Sequence, residues 1–525
     1  MPTSHSQNSY DEVPYDSKPF VQTHPDRLAT LARLFGLSPP PLTHCRVLEL
    51  GCASGGNLIP MACTLPDSEF VGVDLSGREI EMGRETVRAL GLDNIILKHA
   101  SILDIDEGWG LFDYIICHGV FSWVTEDVQN QILTIAARQL TPHGIAYISY
   151  NCYPGWHMRE MIRHMMCYHA ERFGQPAERI EQARALLDFL VGSVPADSGA
   201  YGQLLQSELE LIRQCADSYL FHEHLEQVNK PIYFHQFIER AEGWGLQYLA
   251  EADFAVMLTG RFSPETAETL EKISQDIIHL EQYMDFVRNR LFRQTLLCHR
   301  NLALRRALNP AVLHGLLAAS AASPETETID LSPGVKITFR IGDGTSLETE
   351  SPVTKAAFAL LHEHWPCAIA IDTLCLAALE RAAAIIPSAE RETHRRTLMQ
   401  DLFQCYLANL IELRTWQPPC VNQITAQPKA YPLAVFQATK GMEVANVRHE
   451  TVNLDPFARE LMPALDGERD RTELIEHLLQ RTRDGALRVL ADDLPVSDES
   501  QVRGILDQTL ADALARLSRA ALLVG

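Results

Sequence analysis

The chain has 525 residues, 46% of them hydrophobic, and a formal net charge of −23 from 45 basic and 68 acidic side chains. At about 150 residues per domain this predicts three or four domains with ordinary buried cores. The acidic balance argues against a general nucleic-acid binder, which carries a basic face, and against docking on anionic lipid, while it suits a basic, lysine-bearing partner.

The 12 cysteines contain no CxxC pair. Most are therefore expected to be small buried hydrophobes in a reducing compartment, with no zinc site. The polar N-terminus lacks an apolar signal region, and no window reaches about 18 uninterrupted apolar residues, so a cytoplasmic protein without membrane insertion is expected.

In chain order, a lid and helix are expected over 1–43. Short apolar runs at 46–52, 69–75, 94–100, 112–120 and 145–151 alternate with helical spacing at 76–90 and 127–140. Near-continuous apolar strands joined by helices predict a doubly wound α/β core over 44–155. From 156 to 230 the pattern is amphipathic helix throughout (158–173, 177–191, 201–219), a helical insertion that would also serve dimerisation. The core resumes over 231–300, with a helix at 233–243, a strand at 246–254, one long helix at 265–289 and a strand at 293–299. A linker follows over 301–327, clearest in AASAASPETET. The middle unit, 328–416, opens with two strands around Gly342-Asp343-Gly344. A Pro-rich break at 417–432 precedes a last unit, 433–525. A weak echo between 357–378 and 458–479 makes both units three-helix, winged-helix-like domains. Their acidic, apolar composition argues against DNA.

The chemistry concentrates in VLELGCASGGN, residues 47–57. A strand bearing Glu49 turns through Gly51, Cys52 and Gly55 to Asn57 and a helix, a turn that lets backbone approach a ligand closely. The second strand ends in Asp74-Leu75, placed to bind ribose hydroxyls and flank a base. Ser101 and Ile102 close the third strand, and His118 and Phe121 the fourth, at the same carboxyl edge. Asn151, Tyr153 and Trp156 end the fifth strand as a polar and aromatic slot for an acceptor. Burial in such a slot favours the neutral form of an amine, and its ring faces attract a cationic ammonium. Tyr219 and Tyr233 are further candidates for this channel. Tyr10, Tyr15 and Phe20 interleave aromatics with an acidic N-terminus, as a lid over the cofactor would. Thr23 or Asp26 is expected to cap the following helix.

These residues resemble the class I S-adenosylmethionine-dependent methyltransferases. The resemblance implies a Rossmann-like, seven-stranded, mostly parallel sheet. It also implies a glycine turn holding the methionine part, Asp74 holding the ribose, and S-adenosylhomocysteine as product. Many such enzymes place Asp where Ser101 stands, so adenine contact is expected from backbone amides here. YDEVPYDSKPFVQTHPDRLATLARLFGL (10–37), SYNCYPGWHMREMIRHMM (149–166) and YLFHEHLEQVNKPIYFHQFIERAEGWGLQYLAEA (219–252) are similar to bacterial methyltransferases with a regulatory domain. These include the rickettsial protein lysine methyltransferases. That likeness implies methylation of lysines on a bacterial, outer-membrane protein by a homodimer. A small-molecule methyltransferase and a non-catalytic, cofactor-sensing adaptor are the competing readings.

Overall fold

The computed structural model describes residues 17–525 apart from 196, 492, 493 and 497. Tyr10 and Tyr15 of the expected lid lie outside the described residues.

Seven strands form the central sheet: β1 (Arg46–Leu50), β2 (Glu69–Asp74), β3 (Ile95–His99), β4 (Phe112–Cys117), β5 (Leu140–Asn151), β6 (Leu246–Glu251) and β7 (Phe292–His299). Their order is β3-β2-β1-β4-β5-β7-β6, parallel except for β7, which runs antiparallel to both β5 and β6. Val47, Leu48 and Leu50 of β1 are fully buried because helices cover both faces. The order reverses between β1 and β4. That opens a crevice at the carboxyl ends of the strands, where ligands of such sheets bind.

On this sheet pack α1 (Pro25–Leu34), α2 (Leu58–Thr64), α3 (Gly77–Leu90) and α4 (Glu126–Arg138). Ser76 caps α3 by accepting from Glu79 N at 3.2 Å, and Gly91 ends it with φ +64°. The cap of α1 lies in Thr23-His24-Pro25, on His24 rather than on Thr23 or Asp26. His24 Nδ1 accepts from Asp26 N at 3.1 Å, while the Asp26 carboxylate turns away to accept from the Thr415 and Trp416 amides and from Arg414.

The insertion comprises α5 (Trp156–Ala170), α6 (Pro176–Ser193), α7 (Ala200–Gln214) and α8 (Asp217–His224). It has a small core of its own around Ile162, Met166, Leu187, Leu205 and Phe221. The helix expected over 201–219 breaks into α7 and α8 at Cys215. The chain rejoins the sheet through α9 (Phe234–Gly243), α10 (Pro264–Ile273) and α11 (Ile277–Arg288). The single helix expected over 265–289 is thus two. Ser274 Oγ donates to Leu270 O at 2.6 Å, and Asp276 caps the next helix at His279 N, 2.8 Å away. Fully buried Arg293 on β7 fastens α11 to the sheet. It pairs with Glu251 at 2.8 Å, Glu281 at 3.1 Å and Asp285 at 2.8 Å.

The stretch read as a linker carries strands. β8 (Leu317–Ala319) lies between β12 (Ile369–Ala370) and β13 (Glu412–Arg414), and β9 (Ser323–Pro324) pairs with the hairpin β10 (Ile337–Arg340) and β11 (Ser346–Thr349). Small side chains suit β8 because Ala318 and Ala319 are wholly buried. Helices α12 (Pro352–His364), α13 (Ile371–Arg381) and α14 (Arg391–Leu407) complete this unit. The last unit contains α15 (Pro432–Ala438), a hairpin of β14 (Glu443–Ala445) and β15 (Thr451–Asn453), α16 (Pro456–Leu461), α17 (Arg471–Arg483) and α18 (Glu499–Arg519). It rests on the first: Tyr431 Oη donates to Pro60 O on α2 at 3.2 Å. Among the described residues, no helix is long and apolar enough to cross a membrane.

Candidate active site

The turn after β1 hangs from β2. Gly51 N and Cys52 N donate to Val73 O at 2.8 and 3.0 Å. Gly51 has φ +74°, and a Cβ there would collide with Val120, so only glycine fits. Asp74, at the end of β2, accepts from Ala53 N and Ser76 N, both at 2.8 Å, which joins the glycine turn to the start of α3. Leu75 beside it is 60% exposed, an apolar shelf at the crevice mouth. Cys52 is buried beneath the turn. Gly55, also at positive φ, continues it.

Glu49 is buried at 3% exposure. Its Oε1 accepts from Asn57 Nδ2 at 2.7 Å, and its Oε2 has no hydrogen-bond partner among the described residues. Burial, reinforced by the neighbouring Asp74 charge, pushes its carboxyl up to about 8. Such an orphaned acceptor beside a glycine turn suits a cationic group. Ser101 begins a short turn. Its hydroxyl accepts from Leu103 N at 3.2 Å, and its amide donates to Asp104 Oδ2 at 3.1 Å. Ile102 follows it, half-buried.

The segment before α1 lies across the turn. Gly56 N donates to Ser17 Oγ at 2.8 Å, and Phe20 N donates to Asn57 Oδ1 at 3.0 Å. The Phe20 ring sits 4.1 Å from the His118 ring. His118 Nδ1 meets Tyr147 Oη at 2.9 Å, and burial lowers the imidazole to about 4. It therefore stays neutral near pH 7, beside the Phe20 ring.

The carboxyl ends of β4 and β5 hold the acceptor candidates. Asn151 is buried, its N donating to Ser122 Oγ at 2.8 Å and its Nδ2 to Asn229 Oδ1 at 3.0 Å. The Tyr153 ring stacks on His157 at 3.9 Å and lies 5.3 Å from that of Tyr233. Tyr153 Oη donates to Glu160 at 3.0 Å, and His157 Nε2 meets Tyr233 Oη at 3.0 Å. Burial and Glu160 push the Tyr153 phenol up to about 12.

Two aromatic assignments are corrected. Phe121 is wholly buried, packed edge-on against Phe237 and beside Tyr150, and Trp156, 2% exposed, packs edge-on against Trp123. Both fill the core behind the slot rather than line it. Tyr219 belongs to α8 of the insertion, where its ring lies 6.4 Å from that of His224.

Comparison with known proteins fits this geometry. A methyltransferase domain model matches residues 42–206, a "predicted methyltransferase regulatory domain" 216–299, and a "PKMT, C-terminal winged helix domain" 426–522. The uncharacterized protein RP789 of Rickettsia prowazekii is 36% identical over 98% of this chain and 94% of its own. RP028 of the same organism is 47% identical over 45% of this chain and 94% of its own. The structure of PKMT2 from Rickettsia typhi in complex with AdoHcy superposes with a TM-score of 0.87 at 33% identity, covering 98% of this chain and all of that one.

The chain belongs to the PKMT family of methyltransferases. It is an S-adenosylmethionine-dependent enzyme with an α/β, Rossmann-like core. In this PKMT-family chain, sequence reasoning missed one residue beside the cofactor turn. His449, from the hairpin of the last unit, donates from Nε2 to Asn57 Oδ1 at 2.8 Å. No local signal marks a partner so far along the chain.

Proposed function

We propose that this enzyme methylates lysine side chains of a protein. The whole-length likeness to PKMT2 from Rickettsia typhi carries the reading, because the protein lysine methyltransferase named there matches this chain end to end. Glu49, Gly51, Cys52, Gly55, Asn57, Asp74, Leu75, Ser101, Ile102 and His118 are the proposed cofactor contacts. The orphaned Glu49 oxygen is matched to the methionine ammonium, and the Asp74 carboxylate to the ribose. When bound, S-adenosylmethionine would supply an electrophilic sulfonium methyl, whose C–S bond breaks as an amine forms the new C–N bond, with S-adenosylhomocysteine leaving.

The chain's own contribution lies on the acceptor side. A lysine ammonium, with a pKa of about 10.4, has to shed a proton before it can attack. The rings of Tyr153 and Tyr233 and the amide of Asn151 flank the proposed acceptor slot, with Glu160 bonded to the Tyr153 hydroxyl. Desolvation there favours the free amine, and the phenol and amide oxygens orient its lone pair. With its phenol pushed up to about 12, Tyr153 remains protonated and serves as a hydrogen-bonding wall. A homodimer through the insertion is part of the proposal. Tyr168 and Phe189 on α5 and α6 are 80% and 67% exposed, apolar area that a second copy would cover.

The test is label transfer from methyl-tritiated S-adenosylmethionine into proteins of a bacterial lysate, with and without prior acetylation of their lysines. Label that acetylation abolishes supports the reading. Label that survives acetylation, or enters small molecules only, overturns it.

A further inference from the structure

The cofactor turn is held from behind by a side chain 392 residues further along the chain. His449 sits in the tip, 446–450, of the hairpin β14–β15. Asn446 builds that tip: its Oδ1 accepts from Arg448 N and Glu450 N, both at 2.9 Å, and its Nδ2 donates to Glu450 Oε2 at 2.7 Å and Ala520 O at 2.9 Å. Arg448, 2% exposed, anchors the tip to the middle unit through Glu412 at 2.6 and 2.7 Å and Pro366 O at 3.0 Å. The result is a firm mount that holds His449 at φ +67°, a conformation side chains adopt only when surroundings enforce it.

From that mount the imidazole enters a closed space. It is 3% exposed, and its ring centre lies 5.1 Å from that of His24. Burial and the nearby Arg414 depress it to about 3, so it stays neutral and donates through Nε2. The recipient is the Asn57 amide, which joins three segments. Oδ1 accepts from His449 and from Phe20 N, while Nδ2 donates to Glu49 Oε1 at 2.7 Å and Thr23 Oγ1 at 2.9 Å. An amide fixed on its oxygen side has its nitrogen side aimed, here at the carboxylate beside the glycine turn.

We propose that His449 is a positioning residue for the cofactor site. It orients the Asn57 amide, and through it the Glu49 carboxylate and the segment 20–23, so that S-adenosylmethionine binds tightly only when the C-terminal unit is docked. By linkage, cofactor binding then tightens docking of the hairpin to the same degree. The inference is independent of which acceptor is methylated.

The full-length chain tests it with S-adenosylhomocysteine as the probe, by calorimetry and by amide hydrogen exchange. His449→Ala leaves a buried Asn57 oxygen short of a donor and is expected to raise Kd about tenfold. His449→Gln, which restores an N–H donor, is expected to stay within about threefold of wild type. In the wild-type protein, which needs no substitution to fold, the ligand should slow exchange in both 20–25 and 443–453. A wild-type Kd in His449→Ala, equal weakening in Ala and Gln, or a hairpin indifferent to ligand would each overturn the proposal.

Discussion

Glu49 provides the sharpest quantitative prediction. Its buried carboxyl ionises at about 8, yet it is matched to a cation, so it has to lose its proton when ligand binds. At pH 7 a group of that pKa is about nine-tenths protonated, and binding of S-adenosylhomocysteine should release about 0.9 proton. Apparent affinity then scales with the ionised fraction, about 1% at pH 6 and half at pH 8. Kd is expected to fall about 50-fold over that interval, equivalent to about 2.3 kcal/mol, and to level off above it. Neighbouring imidazoles do not confound this. His118 and His449 are lowered to about 4 and 3, and burial lowers His24 well below its ordinary value, so all three stay neutral. Calorimetry in two buffers of different ionisation enthalpy reads both the proton count and the Kd. Glu49→Gln should bind more weakly at pH 8 and lose the pH dependence. A Kd flat between pH 6 and 8, with no proton released, would refute the pairing of Glu49 with the ammonium.

Three further substitutions separate the parts of the site. Asp74→Ala removes the acceptors of the Ala53 and Ser76 amides together with the proposed ribose partner, and should weaken S-adenosylhomocysteine binding at least tenfold by calorimetry; unchanged affinity would move the ribose elsewhere. Tyr153→Phe deletes the hydroxyl bonded to Glu160 and is expected to lower kcat at least tenfold while S-adenosylhomocysteine affinity stays within twofold. A wild-type kcat would place the acceptor away from this ring. Phe121→Ala should cost about 3–5 kcal/mol in urea unfolding followed by tryptophan fluorescence, because the ring is wholly buried against Phe237 and Tyr150. A loss under about 1 kcal/mol would mean that the ring lines a slot and does not fill the core.

The local parts of this molecule were legible in its sequence. Apolar runs with helical stretches between them mark the strands of the sheet, and a positive-φ glycine followed by an acidic strand end marks the turn and Asp74. Both signals are short-range, set by residues within one strand–helix unit. What failed depended on distant partners. Phe121 and Trp156 follow strands as slot aromatics would, and only Phe237 and Trp123 turn them into core. The alanines of 318–319 read as a linker because nothing nearby reveals that they lie between two strands drawn from much later in the chain. Asp26 reads as a cap, yet its carboxylate receives the amides of Thr415 and Trp416. His449 belongs to this group: its role arises from packing the last unit against the first.

The central claim, methyl transfer to lysine, is met most directly by hydrolysis of the labelled product. Full-length enzyme, methyl-tritiated S-adenosylmethionine and bacterial proteins are incubated, and the acid hydrolysate of the protein fraction is separated by amino-acid chromatography. The account predicts label co-migrating with Nε-methylated lysines. Label in methylarginine, in volatile methanol released from esters, or absent from the protein fraction would contradict it.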